Sequence, residues 1–208
     1  MDKKGILLVI SGFSGAGKGT VVNRLREKYD EYALSISMTS RKPRPTDVEG
    51  ETYFFVTREK FEKTIAENGL LEYAEYCGNY YGTPRAFVEE QLNAGKNVIL
   101  EIEIQGATNI KKAFPESLLI FITPPSAAEL EKRLKGRGTE TDDVIAKRLK
   151  RAFEESDGMD TYDYIVVNDD LEECVDEVHR IIDLARRQPL RMKSFIEEMK
   201  EQLKVYDK

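Results

Sequence analysis

The stretch from Gly12 to Thr20 reads GFSGAGKGT, and its Gly-x-x-x-x-Gly-Lys core runs from Gly12 to Lys18. Gly12, Gly15 and Gly17 allow backbone conformations that a side chain would block, so successive N–H groups can converge on one anion. Lys18 adds a mobile cation that can reach the outer phosphates of a nucleotide. The apolar run Ile6 to Ile10 before the loop reads as a strand, and a helical pattern begins at about Thr20. A helix starting there aims its unsatisfied N–H groups and the positive end of its dipole at the same anion. Gly12, Phe13, Ser14, Gly15, Ala16, Gly17, Lys18, Gly19 and Thr20 are therefore candidate ligands of a nucleoside triphosphate. The pattern ordinarily places Ser or Thr directly after the lysine, where its hydroxyl meets Mg²⁺. Here Gly19 stands in that position, so that hydroxyl is missing. The loop speaks for a triphosphate and leaves the reaction open.

Other cations cluster as well: Arg41, Lys42 and Arg44 in one stretch, Lys132, Arg133, Lys135 and Arg137 in another. The net charge is −6, which argues against a broad nucleic-acid surface and for local sites that take small anions. Cys77 and Cys174 lie far apart, and His179 is the only histidine, so zinc binding and imidazole-based catalysis have almost no raw material. The one marked apolar run near the N-terminus has five residues, too short for a signal or a membrane span, and a cytoplasmic location is the default. A length of 208 residues suits one domain with a small inserted lobe.

The elements that must position these residues follow from periodicity. Val21, Val22 and Leu25 space one face of a helix ending near Tyr29. Leu34, Ile36 and Met38 alternate with Ser35, Ser37 and Thr39, a half-buried strand with Ser37 turned away from the core. Arg41 to Gly50 holds two prolines and a glycine and reads as a loop, an anion clamp carrying two arginines. Tyr53 to Val56 is strand-like, Arg58 to Asn68 helical with Gly69 as its stop, Leu70 to Cys77 a strand, and Gly78 to Gly82 a turn. Short strands with one helix between about Arg41 and Thr83 mark a lobe inserted into a parallel sheet. Thr83 and Pro84 predict a helix start with a capping hydroxyl, and Gly95 its close. Asn97 to Ile102, Leu118 to Ile122 and Tyr164 to Val167 read as buried strands, the first ending at Glu101, Glu103 and Gln105, on the sheet edge where ligands sit. Ser126 caps the next helix, Gly136 to Thr141 has the composition of a mobile lid, and a helix covers Asp142 to Glu155. Asp170 and Glu173 form a capping box for a helix reaching about Arg187. From Leu190 a last helix carries Met192, Phe195, Ile196, Met199 and Leu203 on one side, to pack on the domain or on another subunit.

Taken together, GFSGAGKGT, SMTSRKPRP, EGETYFF, EYAEYCGNYYGTP, LEIEIQG, RLKGRGTET with Arg148, and VNDD resemble guanylate kinase, over about Gly5 to Arg187. The resemblance implies an α/β fold, a phosphate-loop parallel sheet flanked by helices, with an inserted mixed α/β lobe for the monophosphate and a lid. It divides one domain into a core of 1–40 and 84–187, a lobe of about 41–83, a lid of about 133–148, and a C-terminal helix of 190–205. It implies phosphoryl transfer from ATP, with Mg²⁺, to GMP or dGMP, and neither a nucleic-acid nor a membrane partner. In that family Arg41, Arg44, Tyr53 and Tyr81 would hold the GMP phosphate, two guanidiniums clamping a dianion. Glu72 would accept from guanine N1–H and the 2-amino group, with Glu103 as a second acidic contact and the Ser37 and Thr83 hydroxyls near O6. Lys18, Arg41, Arg133, Arg137 and Arg148 would supply the charge that catalyses transfer. Glu101 would meet the metal through water, the phosphates holding most of it. The family often has aspartate at the position of Glu103. Two other readings stay open: the same fold acting on another monophosphate, and a guanylate-kinase-like module that binds peptides, although such modules lose the phosphate loop.

Overall fold

The site is assembled from the ends of many short elements. The computed structural model describes residues 4–76, 78–136 and 141–207. Along the chain, β1 (Leu7–Gly12), α1 (Lys18–Lys28) and β2 (Tyr32–Leu34) lead into β3 (Met38–Thr39), β4 (Phe54–Phe55), α2 (Arg58–Ala66), β5 (Leu70–Tyr76) and β6 (Asn79–Pro84). Then come α3 (Arg85–Asn93), β7 (Asn97–Glu101), α4 (Ile104–Ala113), β8 (Leu118–Thr123), α5 (Ala127–Gly136) and α6 (Asp142–Ser156). Finally β9 (Tyr164–Val167), α7 (Leu171–Ala185) and α8 (Lys193–Leu203) follow.

Five parallel strands make the main sheet in the order β2-β7-β1-β8-β9. A parallel sheet is covered on both faces, which is why β1 is apolar at consecutive positions rather than alternate ones. Leu8 and Ile10 join Val21, Val22 and Leu25 of α1 and Val175, Val178 and Ile182 of α7 in one core. Leu7 and Val9 join Val88 and Leu92 of α3 and Ala107 and Ile110 of α4 in the other. The carboxyl ends of β1, β2 and β7 are thereby fixed side by side, along one edge.

The inserted lobe has its own mixed sheet, ordered β4-β3-β6-β5, in which β3 runs parallel to β4 and antiparallel to β6. Its small core is anchored by Phe61 of α2, fully buried and stacked on Tyr80 at 5.1 Å. Between Leu70 and Tyr73 the pairing of β5 with β6 shifts register by one residue. That irregularity breaks the strict alternation, so Leu71 and Glu72 are both buried while Tyr73 is exposed.

Several local expectations are corrected by this arrangement. The alternating run Leu34 to Thr39 is not one strand: Leu34 ends β2 in the main sheet, and Met38 begins β3 in the lobe sheet. Residues 35–37 carry the chain between the two. The predicted turn at Gly78 to Gly82 is mostly strand, since β6 begins at Asn79, with Gly78 at φ 73° making the reversal. The left-handed residue ending α2 is Asn68, at φ 54°, rather than Gly69. Its N–H and that of Gly69 return to Ile65 and Thr64, the paired bonds of a Schellman cap. Thr83 does not cap α3, because its hydroxyl is directed to Glu72, and Pro84 takes the cap position with no side-chain bond. The segment after Glu103, read as sheet edge, is the helix α4. Ser126 and Asp170 do cap α5 and α7, accepting from Glu129 and Glu173 N–H at 3.1 and 3.0 Å. Along α8 no residue is buried, and Phe195, Met199 and Leu203 are exposed.

Candidate active site

At the carboxyl edge of the main sheet the phosphate loop, the lobe and α6 enclose a cleft of about 1310 Å³. Such crevices lie where neighbouring strands of an open sheet send their connections to opposite faces, here beside β1. Gly12 ends β1 at φ 151°, and a Cβ there would stand 2.0 Å from the Ile122 carbonyl oxygen. Gly17, at φ 89°, occupies the cap position of α1, which starts at Lys18, earlier than its sequence pattern indicates. A helix start leaves its first N–H groups without intrahelical acceptors, and Lys18 and Gly19 of that turn line the cleft. Lys18 Nζ donates to the carbonyls of Gly12 at 2.8 Å and Phe13 at 3.2 Å. Its stem is therefore folded back over the loop, poised above the space that the loop encircles.

A support that sequence reasoning passed over holds this loop from behind. Asn168, buried just after β9, donates from Nδ2 to the Ala16 carbonyl at 2.8 Å. A Cβ on Gly17 would be only 2.6 Å from that same amide nitrogen, so the Asn168 amide can stand there only against a glycine. Asn168 lies in the VNDD segment that contributed to the resemblance, but as a motif member without a role.

Glu101 closes β7 at the floor of the cleft. Burial by the surrounding protein raises its pKa, and the Lys18 charge opposes the rise. Although protein surrounds it on most sides, its residue surface remains open toward the cleft. A Cβ on Gly19 would lie 3.8 and 3.9 Å from the two Glu101 oxygens. The carboxylate thus sits beside the position from which the usual Ser or Thr hydroxyl is missing. Among the described residues no group of three or more His, Cys, Asp or Glu side chains could hold a metal. One carboxylate beside a phosphate loop suits an ion whose remaining ligands are phosphate oxygens and water.

On the lobe side, Ser37, Arg44 and Tyr53 reach the cleft, as does Glu103 at the β7–α4 junction. Arg41, Glu72, Tyr81 and Thr83 are not part of that lining. Tyr53 and Tyr81 meet edge to face at 5.8 Å, and the Arg41 guanidinium lies 5.4 Å from the Tyr53 ring centre. Arg41 Nη1 bonds Asp47 Oδ2 at 2.9 Å, and the Arg44 backbone N–H bonds the same oxygen at 2.6 Å. The Arg41 hydrogen bond is the main cause holding Asp47 below the usual carboxylate range. Asp47 was not singled out in the sequence, and its carboxylate here occupies the arginine loop. Burial pushes the Tyr53 phenol up, so it stays protonated and able to donate.

Glu72 is 8% exposed, placed inward by the register shift in β5. Thr83 Oγ1 donates to its Oε1 at 2.8 Å, and the Gly106 backbone passes so close that a Cβ there would be 3.3 Å from its Oε2. Desolvation raises its pKa and the Thr83 bond partly offsets this. A desolvated acceptor with one oxygen already engaged is built to take a donor pair on the other side.

From α6, Arg148 Nη1 donates to Ser14 Oγ in the phosphate loop at 2.8 Å. Arg133, in α5, pairs with Glu129 at 3.0 Å and is not part of the cleft lining. Arg137 falls outside the described residues, as does Cys77. The cleft also contains Asn23, Arg26, Ser35, Lys147 and Arg151, none of them marked by a motif. The Ser35 hydroxyl is buried and has no hydrogen-bond partner among the described residues.

The comparisons with known proteins agree with this geometry. A family model described as guanylate kinase matches residues 4–185. A guanylate kinase of Bacillus anthracis is 50% identical over 205 residues, 97% of this chain and 99% of that protein. One of Bacillus subtilis (strain 168) is 51% identical over 183 residues, covering 88% of this chain and 90% of the relative. The crystal structure of guanylate kinase from Anaplasma phagocytophilum aligns with a TM-score of 0.73 at 34% identity, over 90% of this chain and 89% of that one. With sheet, phosphate loop and near full-length matches in accord, the chain belongs to the guanylate kinase family.

Proposed function

We propose that the cleft binds ATP on its phosphate-loop side and GMP on its lobe side, and passes the γ-phosphoryl group across, giving ADP and GDP. The observation that carries this reading is that Lys18 and the loop on one side, and Arg44 with Tyr53 on the other, open onto one cleft. Phosphoryl transfer asks little covalent chemistry of the protein, so positioning and positive charge do most of the catalysis. Residues Gly12 to Thr20 hold the ATP phosphates, and Lys18 and Arg148 supply charge at the transferring group, with Arg133 and Arg137 as further sources of positive charge. Arg41, Arg44, Tyr53 and Tyr81 grip the GMP phosphate, which displaces Asp47 from Arg41. That phosphate is the nucleophile and is already ionised near neutral pH, so no side-chain base is needed.

Guanine is read by Glu72, whose acceptor oxygens suit N1–H and the 2-amino group, with Ser37, Thr83 and Glu103 around it. Adenine would present a lone pair to the same carboxylate, a mismatch that such sites reject by roughly 10⁴ or more. Glu101 with water would hold Mg²⁺, which when bound neutralises charge on the phosphates. The deoxyribose of dGMP meets none of these contacts differently, so dGMP is a substrate too. The exposed apolar side of α8 gives a second copy of the chain a place to pack. These substrates place the chain in purine nucleotide recycling in the cytoplasm. No described helix is long and apolar enough to cross a membrane. Turnover of ATP with each nucleoside monophosphate in turn, by a coupled assay, tests the reading: GMP should be used far faster than AMP, CMP or UMP, and equal rates would refute it.

A further inference from the structure

One helix touches both halves of the cleft. Arg148 of α6 bonds Ser14 in the phosphate loop. Arg151, on the same helix face one turn later, sends Nη2 to within 2.6 Å of Glu103 Oε2, at the β7–α4 junction. The Arg151 Nε donates to Glu155 Oε1 at 2.7 Å, again one turn along α6. Glu155 thus holds one edge of the guanidinium, while Nη2 is aimed at Glu103. All three side chains line the cleft, and neither Arg151 nor Glu155 belongs to any motif in the sequence.

We propose that Arg151 is a positioning residue for the acceptor nucleotide: oriented by Glu155, it fixes the Glu103 carboxylate so that Oε1 is presented to GMP, and it ties that setting to the position of α6. The proposal rests on the reading of Glu103 as a GMP contact. The Glu103 side chain is 61% exposed, so without a partner it would sample many rotamers. Ordering such a side chain on binding weakens affinity about two- to tenfold, and a guanidinium that orders it beforehand removes that penalty. A carboxylate has lone pairs enough to keep Oε1 as an acceptor while Oε2 is engaged. A glutamate reaches one methylene further than aspartate, which is what lets it meet an arginine on the opposite wall. Because Arg148 and Arg151 share a helix, ATP drawing Arg148 onto its phosphates also moves Arg151, and donor binding sharpens acceptor binding.

The test is GMP affinity by calorimetry on the full chain, with and without a non-hydrolysable ATP analogue and Mg²⁺, for the parent, Arg151→Gln, Arg151→Lys, Glu103→Gln and the Arg151→Gln/Glu103→Gln double variant. Arg151→Gln should weaken GMP about two- to tenfold, leave the ATP KM and the melting temperature unchanged, and lose the tightening that the analogue produces in the parent. Arg151→Lys should recover part of the loss, and the double variant should bind no worse than Glu103→Gln alone. If Glu103→Gln weakens GMP but Arg151→Gln does not, the proposal fails while the reading of Glu103 stands. If Glu103→Gln leaves GMP affinity intact, that reading fails and takes the proposal with it. Equal losses for ATP and GMP, or a lowered melting temperature in Arg151→Gln, would show a structural role and overturn positioning.

Discussion

Replacing Glu72 by glutamine keeps the shape of the base pocket and changes only what it can accept. Thr83 Oγ1 bonds Oε1 at 2.8 Å, so the new amide oxygen stays there and the amide nitrogen takes the place of Oε2, beside Gly106. One guanine donor then faces an N–H₂ group. The change removes a hydrogen bond to a charged group, about 1.5–3 kcal/mol, and leaves a buried donor unsatisfied, about 1–3 kcal/mol. Together these give roughly 2.5–6 kcal/mol, on the order of 10²- to 10⁴-fold in GMP affinity. On the proposed reading ATP binds across the cleft, so its affinity should be unaffected. Calorimetric titration of each nucleotide separates the two: a GMP loss under tenfold, or equal losses for both, would refute the assignment. Stability should move the other way. Burial raises the Glu72 pKa, so the folded protein holds that proton more tightly than the unfolded chain. Stability is therefore lost as pH climbs from the ordinary glutamate value through the raised one, and stays lost above it. Glu72→Gln should raise the melting temperature at neutral pH, with the gain vanishing below the ordinary glutamate range.

Lys18→Met should lower kcat by about 10²- to 10³-fold, the cost of one preorganised charge at the transferring group, with GMP affinity nearly unchanged; single-turnover rates near the parent value would refute it. Asn168→Ala removes the bond to the Ala16 carbonyl at a buried site, and urea unfolding should show a loss of about 1–3 kcal/mol together with a raised ATP KM. Gly12→Ala would drive a Cβ into the Ile122 carbonyl, so the variant should lose at least about 2 kcal/mol of stability or fail to accumulate folded, and a parent-like melting curve would contradict the loop geometry. Truncation after Met192 removes α8, none of whose residues is buried within the chain, so kcat and the melting temperature of the dilute chain should be unchanged while self-association seen by sedimentation is lost; a large drop in the dilute chain's melting temperature would mean that α8 packs on its own domain.

The main sheet was legible because both-face burial writes apolar runs into β1, β7 and β8, and caps such as Ser126 and Asp170 act locally. The phosphate loop was legible for the same reason: a strand, glycines and a lysine fall within a few residues of each other. What was hidden depends on partners distant in sequence. The run Leu34 to Thr39 has a perfect period of two, yet it is divided between two sheets and its burial runs against the pattern, with Ser35 and Thr39 buried and Leu34, Ile36 and Met38 only partly so. Thr83 looked like a cap because it precedes a proline, but the buried carboxylate of Glu72 is the stronger claimant for its hydroxyl. The inward turn of Glu72 itself needs the register shift in β5, which only cross-strand pairing reveals. Asn168, Asp47 and Arg151 each act through a contact that no local pattern marks.

His179 stacks on Tyr29 at 3.7 Å, and its Nδ1 shares a 2.7 Å hydrogen bond with the Tyr32 hydroxyl. It stands between α1 and α7, away from the chemistry. No imidazole is therefore available to impose an alkaline requirement on turnover, and the ionisations that the reaction can feel on the acid side are those of Glu72, Glu101 and the acceptor phosphate. Each of these acts in its deprotonated form. The rate should accordingly climb to a plateau as acidity falls and drop again only in alkali, where guanine N1 loses the proton it donates, and the pH of half-maximal rate on the acid side should follow the acceptor phosphate when a more acidic analogue of GMP is used.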